Sequence, residues 1–459
     1  MIPKIYNGKV SFLGLAIIFL ITRILTYVLD IVPVGEELGQ RWQLLPPALL
    51  NYDLLGSLYY LHYQPPIWNM IYGIMVKIFG TDYEVLSICI HLFNIFLSLI
   101  SIYYFLLICK FFKLDKNKIY LTYFIFFIFS ISFLYYETYT HYTHLTVLLF
   151  SQIVYFYLRF GEKKSLKYEI LIYLISLILV YTWSAFSHPL FICVIFFGIF
   201  LIRFKENFFR SFMIFIISIF ISIMPSIKNK IEFDIFANST WIGMQIIQVL
   251  KAWDYYNLCG FIMKNKKEYE IKFKKENPDL EIVHPSLIGE FSGYNHIGYV
   301  YKTKKCLDIG INLIYQDPIN FLKIVKFKFI SSHGHFAFDH VGWDPIEWRK
   351  YFAFFYDINE SKFSQVKVRF LQSYYLLIYL FFALLTIKNI LSIHKENRIY
   401  QKTFSSIFLI YLWLITVIHV GAGFEQERMR HMGHFLHILF FIILIKNNFK
   451  IKIILKEFF

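Results

Sequence analysis

His62-Tyr63-Gln64-Pro65-Pro66-Ile67-Trp68-Asn69 follows the first hydrophobic run and restarts an apolar helix at a proline pair. Proline at a first helical position gives up no hydrogen bond and pre-sets φ, so Pro65-Pro66 reads as a helix start. The helix it opens, Ile67 to Phe79, is apolar except for Asn69 and Lys77. About fifteen residues is short for a bilayer crossing, so the helix is expected to be juxtamembrane or re-entrant. Its free N–H groups and positive dipole end then lie beside His62 and Gln64, a place suited to phosphate. Upstream, within residues 30–80, stand Glu36, Glu37 and Asp53. Acids, an anion site and a membrane surface in one loop suggest chemistry on a phosphorylated lipid.

The rest of the chain supports a membrane setting. Of 459 residues, 58% are hydrophobic and 21% aromatic, more apolar surface than a soluble domain needs. Hydrophobic runs fall near 11–29, 86–109, 119–134, 143–158, 168–186, 190–202, 211–224, 369–393, 403–420 and 434–445. The expected fold is an all-α polytopic membrane protein of about ten transmembrane helices plus juxtamembrane helices. The N-terminal stretch resembles a signal peptide, but no small-residue cleavage site follows before Asp30, so it is read as a retained span.

The net charge of +15 would point to nucleic acid in a soluble protein. Here the Lys/Arg clusters at 110–118, 163–167, 203–210, 395–402 and 446–452 alternate with connections at 135–142 and 187–189 that hold no Lys or Arg. If each run crosses once, every basic cluster lands on one side, which is the positive-inside pattern and leaves no role for nucleic acid. Residues 30–80, 225–368 and 421–433 then face outward. The chain divides into a seven-span module (1–224, including the loop 30–80), a large outer region (225–368) and a three-span bundle (369–459). Within the outer region, Ile297, Val300, Leu307, Ile311 and Ile314 recur at helical spacing, and Asp317-Pro318 reads as cap and first position of a further helix. Five cysteines show no CxxC and no zinc spacing; Cys259 and Cys306 share the outer region, and spacing alone does not establish a bond between them.

Gln64-Pro65-Pro66-Ile67-Trp68-Asn69 through Lys77-Ile78-Phe79-Gly80 resembles the HPPL…LFG signature of bacterial GT-C glycosyltransferases. These are the glycosyltransferase family 39-like, RgtA/B/C/D-like membrane enzymes, related to protein O-mannosyltransferases and lipid A aminoarabinose transferase. Trp42-Gln43-Leu44-Leu45, Asp53-Leu54-Leu55 and Leu61-His62 look like members of the same group, as do Asn238 to Met244, Tyr294-Asn295-His296 and Glu425-Gln426-Glu427-Arg428-Met429-Arg430. The resemblance implies seven spans before a large outer loop, and a catalytic first outer loop. It also implies inverting sugar transfer from a polyprenyl-phosphate donor to a lipid, glycan or protein acceptor at the outer face of a bacterial cytoplasmic (inner) membrane. Gln64 stands where the family's histidine is usual, and Glu36-Glu37 matches its acidic pair only loosely.

Glycosyl transfer needs a carboxylate within hydrogen-bond reach of the attacking hydroxyl, which makes Asp53, Glu36 and Glu37 the base candidates. The competing reading of each is an exposed or helix-capping acid. His62 and Gln64 are candidates for the donor phosphate or sugar, against a role as an interfacial cap. Arg428 and Arg430 offer guanidinium forks to a phosphate, or pair with Glu425 and Glu427 at a helix end. Asn295 and His296 are expected in a loop closing over the acceptor side. Arg23 either snorkels outward or pairs with an outer acid. His333, His335, Asp339 and His340, and separately His431, His434 and His437, lack specific ligand spacing. A divalent metal is compatible with the reading but nothing in the sequence indicates one. The rival class is a transporter or lipid flippase, against which stand sparse intramembrane charge and the lack of paired broken spans in two halves.

Overall fold

The computed structural model describes residues 10–28, 38, 44–138, 141–203, 207–250, 259, 262–276, 283–289, 295–332, 380–381, 383–384, 386–388, 399–421 and 434–446. Every regular element among them is helical. Helix α1 (Phe12–Val28) is followed by two short helices, α2 (Pro47–Tyr52) and α3 (Leu54–Tyr59), then α4 (Pro66–Phe79) and α5 (Tyr83–Phe111). Next come α6 (Lys116–Tyr123), a π-helical segment (Phe124–Ile128), α7 (Ile131–Thr138), α8 (Thr143–Lys163), α9 (Leu166–Thr182), α10 (Pro189–Arg203) and α11 (Phe208–Phe233). The outer region contributes α12 (Ile242–Val249), α13 (Ile262–Glu276), α14 (Gly298–Gln316) and α15 (Pro318–Ser332); α16 (Ile399–Gly421) and α17 (His434–Lys446) complete the bundle.

Local chemistry sets many of these boundaries. Pro65 caps α4, which runs for 14 residues and stops at Gly80. At 1.5 Å per residue that is about 21 Å, less than the ~30 Å apolar thickness of a bilayer. Asp82 accepts the Glu84 and Val85 N–H groups to start α5, and Asp115 accepts that of Lys118 to start α6. Asp317 does the same for Asn320 ahead of Pro318, as its sequence pattern foretold.

Two helices, α5 and α11, are long and apolar enough to cross a membrane by length and composition; α1, α4 and α10 are apolar but shorter. Helix α11 extends past the run at 211–224 and carries Pro225 within it, and it presents Phe209, Ile217 and Phe220 outward. The run at 119–134 does not form one helix: it breaks into α6, the π segment and the start of α7. Most of the run at 369–393 lies outside the described residues.

Neighbouring helices run antiparallel. Phe12 at the start of α1 meets Tyr103 late in α5 at 5.7 Å, while Tyr27 at its end stacks on His91 at 5.3 Å. Arg203 at the end of α10 bonds Glu169 at the start of α9 (2.5 Å) and the Lys164 carbonyl (2.6 Å). Phe112 stacks on Phe404 and lies under the Lys446 ammonium. Lys110, Lys164, Arg203, Lys402 and Lys446 therefore gather at one end of the bundle. Inside it, Arg23 pairs with Glu137 at 2.7 Å, both buried, which decides between the two expectations for Arg23.

At the opposite end the outer region builds its own small core. Helix α12 lies so close to α14 that a Cβ at Gly243 would stand 2.3 Å from the Thr303 carbonyl oxygen. The buried residues of α14 include Val300 of the apolar series, with Ile297 buried just ahead of the helix, and also Tyr299, Thr303, Cys306 and Gly310, whereas Ile311 is exposed. Close helix approach at Thr303 and Gly310 adds to the apolar periodicity in choosing that face. Cys306 is disulfide-bonded to Cys259, with Cα atoms 5.2 Å apart. Cys89, Cys109 and Cys193, all in apolar helices, are free thiols.

Candidate functional site

The first loop and the outer region meet at the end of the bundle away from the basic cluster. Two structures centred nine residues apart in the chain, at His62 and Asp53, form there, with a third feature at the start of α4.

The first is a knot around His62. Its backbone N–H donates to Asn295 Oδ1 (3.0 Å) and its carbonyl accepts the Thr240 N–H (2.9 Å). Its ring Nε2 faces the Asn295 carbonyl at 2.8 Å, an acceptor, so Nε2 carries the proton and the neutral Nδ1 accepts from the Thr240 hydroxyl at 2.8 Å. Burial pushes the ring down to about 3, which keeps it neutral. The Asn295 amide also donates to the carbonyls of Tyr60 (3.2 Å) and Ser286 (3.1 Å). Lys228 of α11 donates to the carbonyls of Tyr59 (3.0 Å) and Leu61 (2.6 Å), and the Thr303 hydroxyl to that of Thr240. Asn238 ties the same strap to Ser187 (2.7 Å). His62 is fully buried with both ring nitrogens in use, so its ring has no lone pair or proton left for a donor phosphate. Its role is to fasten residues 59–63 to 238–240 and 295.

The second is the corner at Asp53, whose side chain is 43% exposed. Asp53 caps α3: its Oδ1 accepts the Gly56 N–H at 2.9 Å. That bond holds the carboxyl below its ordinary range, with His284 and Lys77 adding to the effect. Oδ2 is turned away from the cap and faces His284 Nε2 at 3.4 Å. His284 stacks on Tyr60 (5.1 Å) and its Nδ1 meets the Ser286 hydroxyl at 2.7 Å. An ionised carboxylate with one oxygen in part free and solvent at hand can take a proton from a bound hydroxyl.

Gln64 starts a third feature. It is 6% exposed, and its Oε1 has no hydrogen-bond partner among the described residues. Trp68 Nε1 and Tyr72 OH, four and eight residues on, share that condition. The i, i+4 spacing puts Trp68 and Tyr72 on one side of α4, and the Tyr142 ring lies 6.5 Å from that of Trp68. Neutral donors and acceptors among aromatic rings suit a polyhydroxyl ligand better than a bare anion.

His296 is buried and bonds Glu270 of α13 at 2.9 Å, an anchor within the outer region. Burial pulls the His296 ring down despite that carboxylate. The structure thus brings together Asp53, His62, Gln64, Asn295 and His296. Glu36, Glu37, Glu425, Glu427, Arg428 and Arg430 lie outside the described residues, as do His333, His335, Asp339, His340 and His431. Among the described residues no group of three or more His, Cys, Asp and Glu side chains is placed to hold a metal ion. His284, Thr240 and Lys228 escaped the sequence reading. Only the Asn238-Ser239-Thr240 stretch carried any hint, through its family resemblance.

No protein-family model, no curated protein and no solved structure matches this chain.

Proposed function

We propose that the protein is an integral membrane glycosyltransferase of GT-C type, crossing the bacterial cytoplasmic membrane about ten times with its site on the outer face. The acceptor hydroxyl oxygen attacks the anomeric carbon of a polyprenyl-phosphate sugar. The bond from that carbon to the phosphate oxygen breaks, the hydroxyl proton passes to Asp53, and the lipid phosphate departs with the bonding electrons, giving inversion. The observation that carries this reading is Asp53 itself: an ionised carboxylate, half exposed, with Oδ2 outside the cap, on the same side of the bundle as the hydrogen-bonding start of α4. The gathering of basic residues at the other end supports the orientation. So does the disulfide in the outer region, since such bonds persist in oxidising compartments. Arg428 and Arg430 are proposed for the lipid phosphate on sequence grounds, with Glu36 and Glu37 as alternative bases.

The test is transfer of radiolabelled hexose or pentose from synthetic polyprenyl-phosphate donors in membranes containing the protein. Asp53→Asn is expected to abolish transfer while Glu36→Gln and Glu37→Gln preserve it. Transfer unaffected by all three substitutions overturns the mechanism. The transporter or flippase reading is favoured by one observation, the buried Arg23–Glu137 pair, because intramembrane ion pairs often line transport paths. Lipid flipping that survives Asp53→Asn but is lost in Glu137→Gln would establish it.

A further inference from the structure

The Asp53 corner is built from two distant parts of the chain, and only one of them is the loop that carries the carboxylate. Three groups act on Asp53 among the described residues: the Gly56 N–H from α3, the Lys77 ammonium from α4, and the His284 ring from the outer region. Among the described residues His284 is the one whose ring nitrogen faces Oδ2, the oxygen that the cap leaves over, at 3.4 Å. The ring is held on two sides. Tyr60 stacks on its face, and the Ser286 N–H donates to Nδ1 at 3.2 Å. A backbone N–H can only donate, so Nδ1 is the acceptor and Nε2 carries a proton toward Asp53. Position 56 is shaped to the same contact, for a Cβ there would stand 2.1 Å from Asp53 Oδ2 and 2.9 Å from His284 Nε2. Ser286 is fully buried, which rules it out as a nucleophile and leaves it the task of fixing the ring.

We propose that His284 is the positioning residue of the Asp53 base: its Nε2–H, held toward Asp53 by Tyr60 and Ser286, orients Oδ2 for proton transfer. The inference rests on the glycosyltransferase reading for its consequence, but the pair itself is tested separately.

The experiment uses the full-length protein in membranes, with His284→Ala, His284→Gln and Ser286→Ala. Two quantities are read: kcat and KM for labelled sugar transfer, and the pH at which Asp53 ceases to react with a water-soluble carbodiimide, followed by peptide mass spectrometry. His284→Ala is expected to lower kcat about tenfold at unchanged KM, a small part of what a general base contributes, and to move the labelling midpoint to higher pH. His284→Gln, which retains an N–H donor, is expected to recover most of both, and Ser286→Ala to change each less than His284→Ala does. A kcat and midpoint equal to wild type in His284→Ala overturns the proposal. So does a loss of kcat matched by lost thermal stability with the midpoint unmoved. If the wild-type protein transfers no sugar from any donor, the glycosyltransferase reading fails, and the carbodiimide midpoint still decides whether His284 governs Asp53.

Discussion

His62 and Asp53 sit nine residues apart at the same end of the bundle, yet they live in opposite physical conditions. Around His62 each hydrogen-bonding atom of the residue is matched, water is excluded, and partners come from more than 170 positions away. Around Asp53 one oxygen is committed to a helix cap, and the other meets only a half-shared histidine at a wet surface. A saturated polar group fixes geometry because breaking it strands buried atoms. An unsaturated one keeps capacity for a substrate. The knot is the scaffold and the corner is where chemistry can happen.

That contrast can be broken by four measurements. Asp53→Asn should cost on the order of 10²- to 10⁴-fold in transfer rate, with little change in melting temperature, since asparagine caps helices about as well as aspartate. A large fall in stability would make Asp53 a second scaffold residue. His62→Ala should act in the reverse sense. It strands the Asn295 carbonyl and the Thr240 hydroxyl, so the detergent-solubilised protein should lose about 3 kcal/mol by thermal or denaturant unfolding, with activity falling only as the fold does. Replacing Cys259 and Cys306 together with serine should cost about 2–4 kcal/mol, seen as earlier proteolysis of the outer region while the bundle resists.

The smallest effect is a pH slope that separates the two sites. His62 is held at about 3 against an ordinary value of 6.5, so between those values the unfolded chain takes up a proton that the folded one refuses. Stability should therefore fall as pH drops below about 6.5, by up to ~1.4 kcal/mol per pH unit. Asp53, whose carboxyl is lowered from 3.8, loses its contribution only as pH falls below that ordinary value. A chain carrying His62→Gln should show a shallower upper slope, reduced by up to ~1.4 kcal/mol per pH unit, with His296 keeping part of it and the lower part unchanged.

Much of the fold could be read from local pattern. Pro65-Pro66 and Asp317-Pro318 start helices because proline and capping acids act within one turn. The grouping of Lys and Arg at one end follows from alternation along the chain. The Arg23 pairing was legible as one of two options, since a buried guanidinium needs a counter-charge. The site was readable only in part. Asp53 reads in the sequence as base or cap, and in the structure it is a cap whose second oxygen faces His284. The sequence around His62 suits either donor phosphate or sugar or an interfacial cap, whereas its actual partners, Thr240 and Asn295, are set by tertiary packing. His284 gave no local sign at all, because what distinguishes it is proximity to a residue 231 positions earlier. The apolar spacing on α14 announced a helix, and its first members, Ile297 and Val300, are buried; Ile311 is exposed, and small residues let α12 pack at Thr303 and Gly310.

The five cysteines are distributed so that oxidation needs no proofreading. Three free thiols stand on apolar helices, one of them buried and two partly so, while the other two cysteines share residues 225–368 and pair with each other. In the proposed orientation, residues 259 and 306 would meet an oxidising medium as each other's partners, and the first bond formed would be the final one.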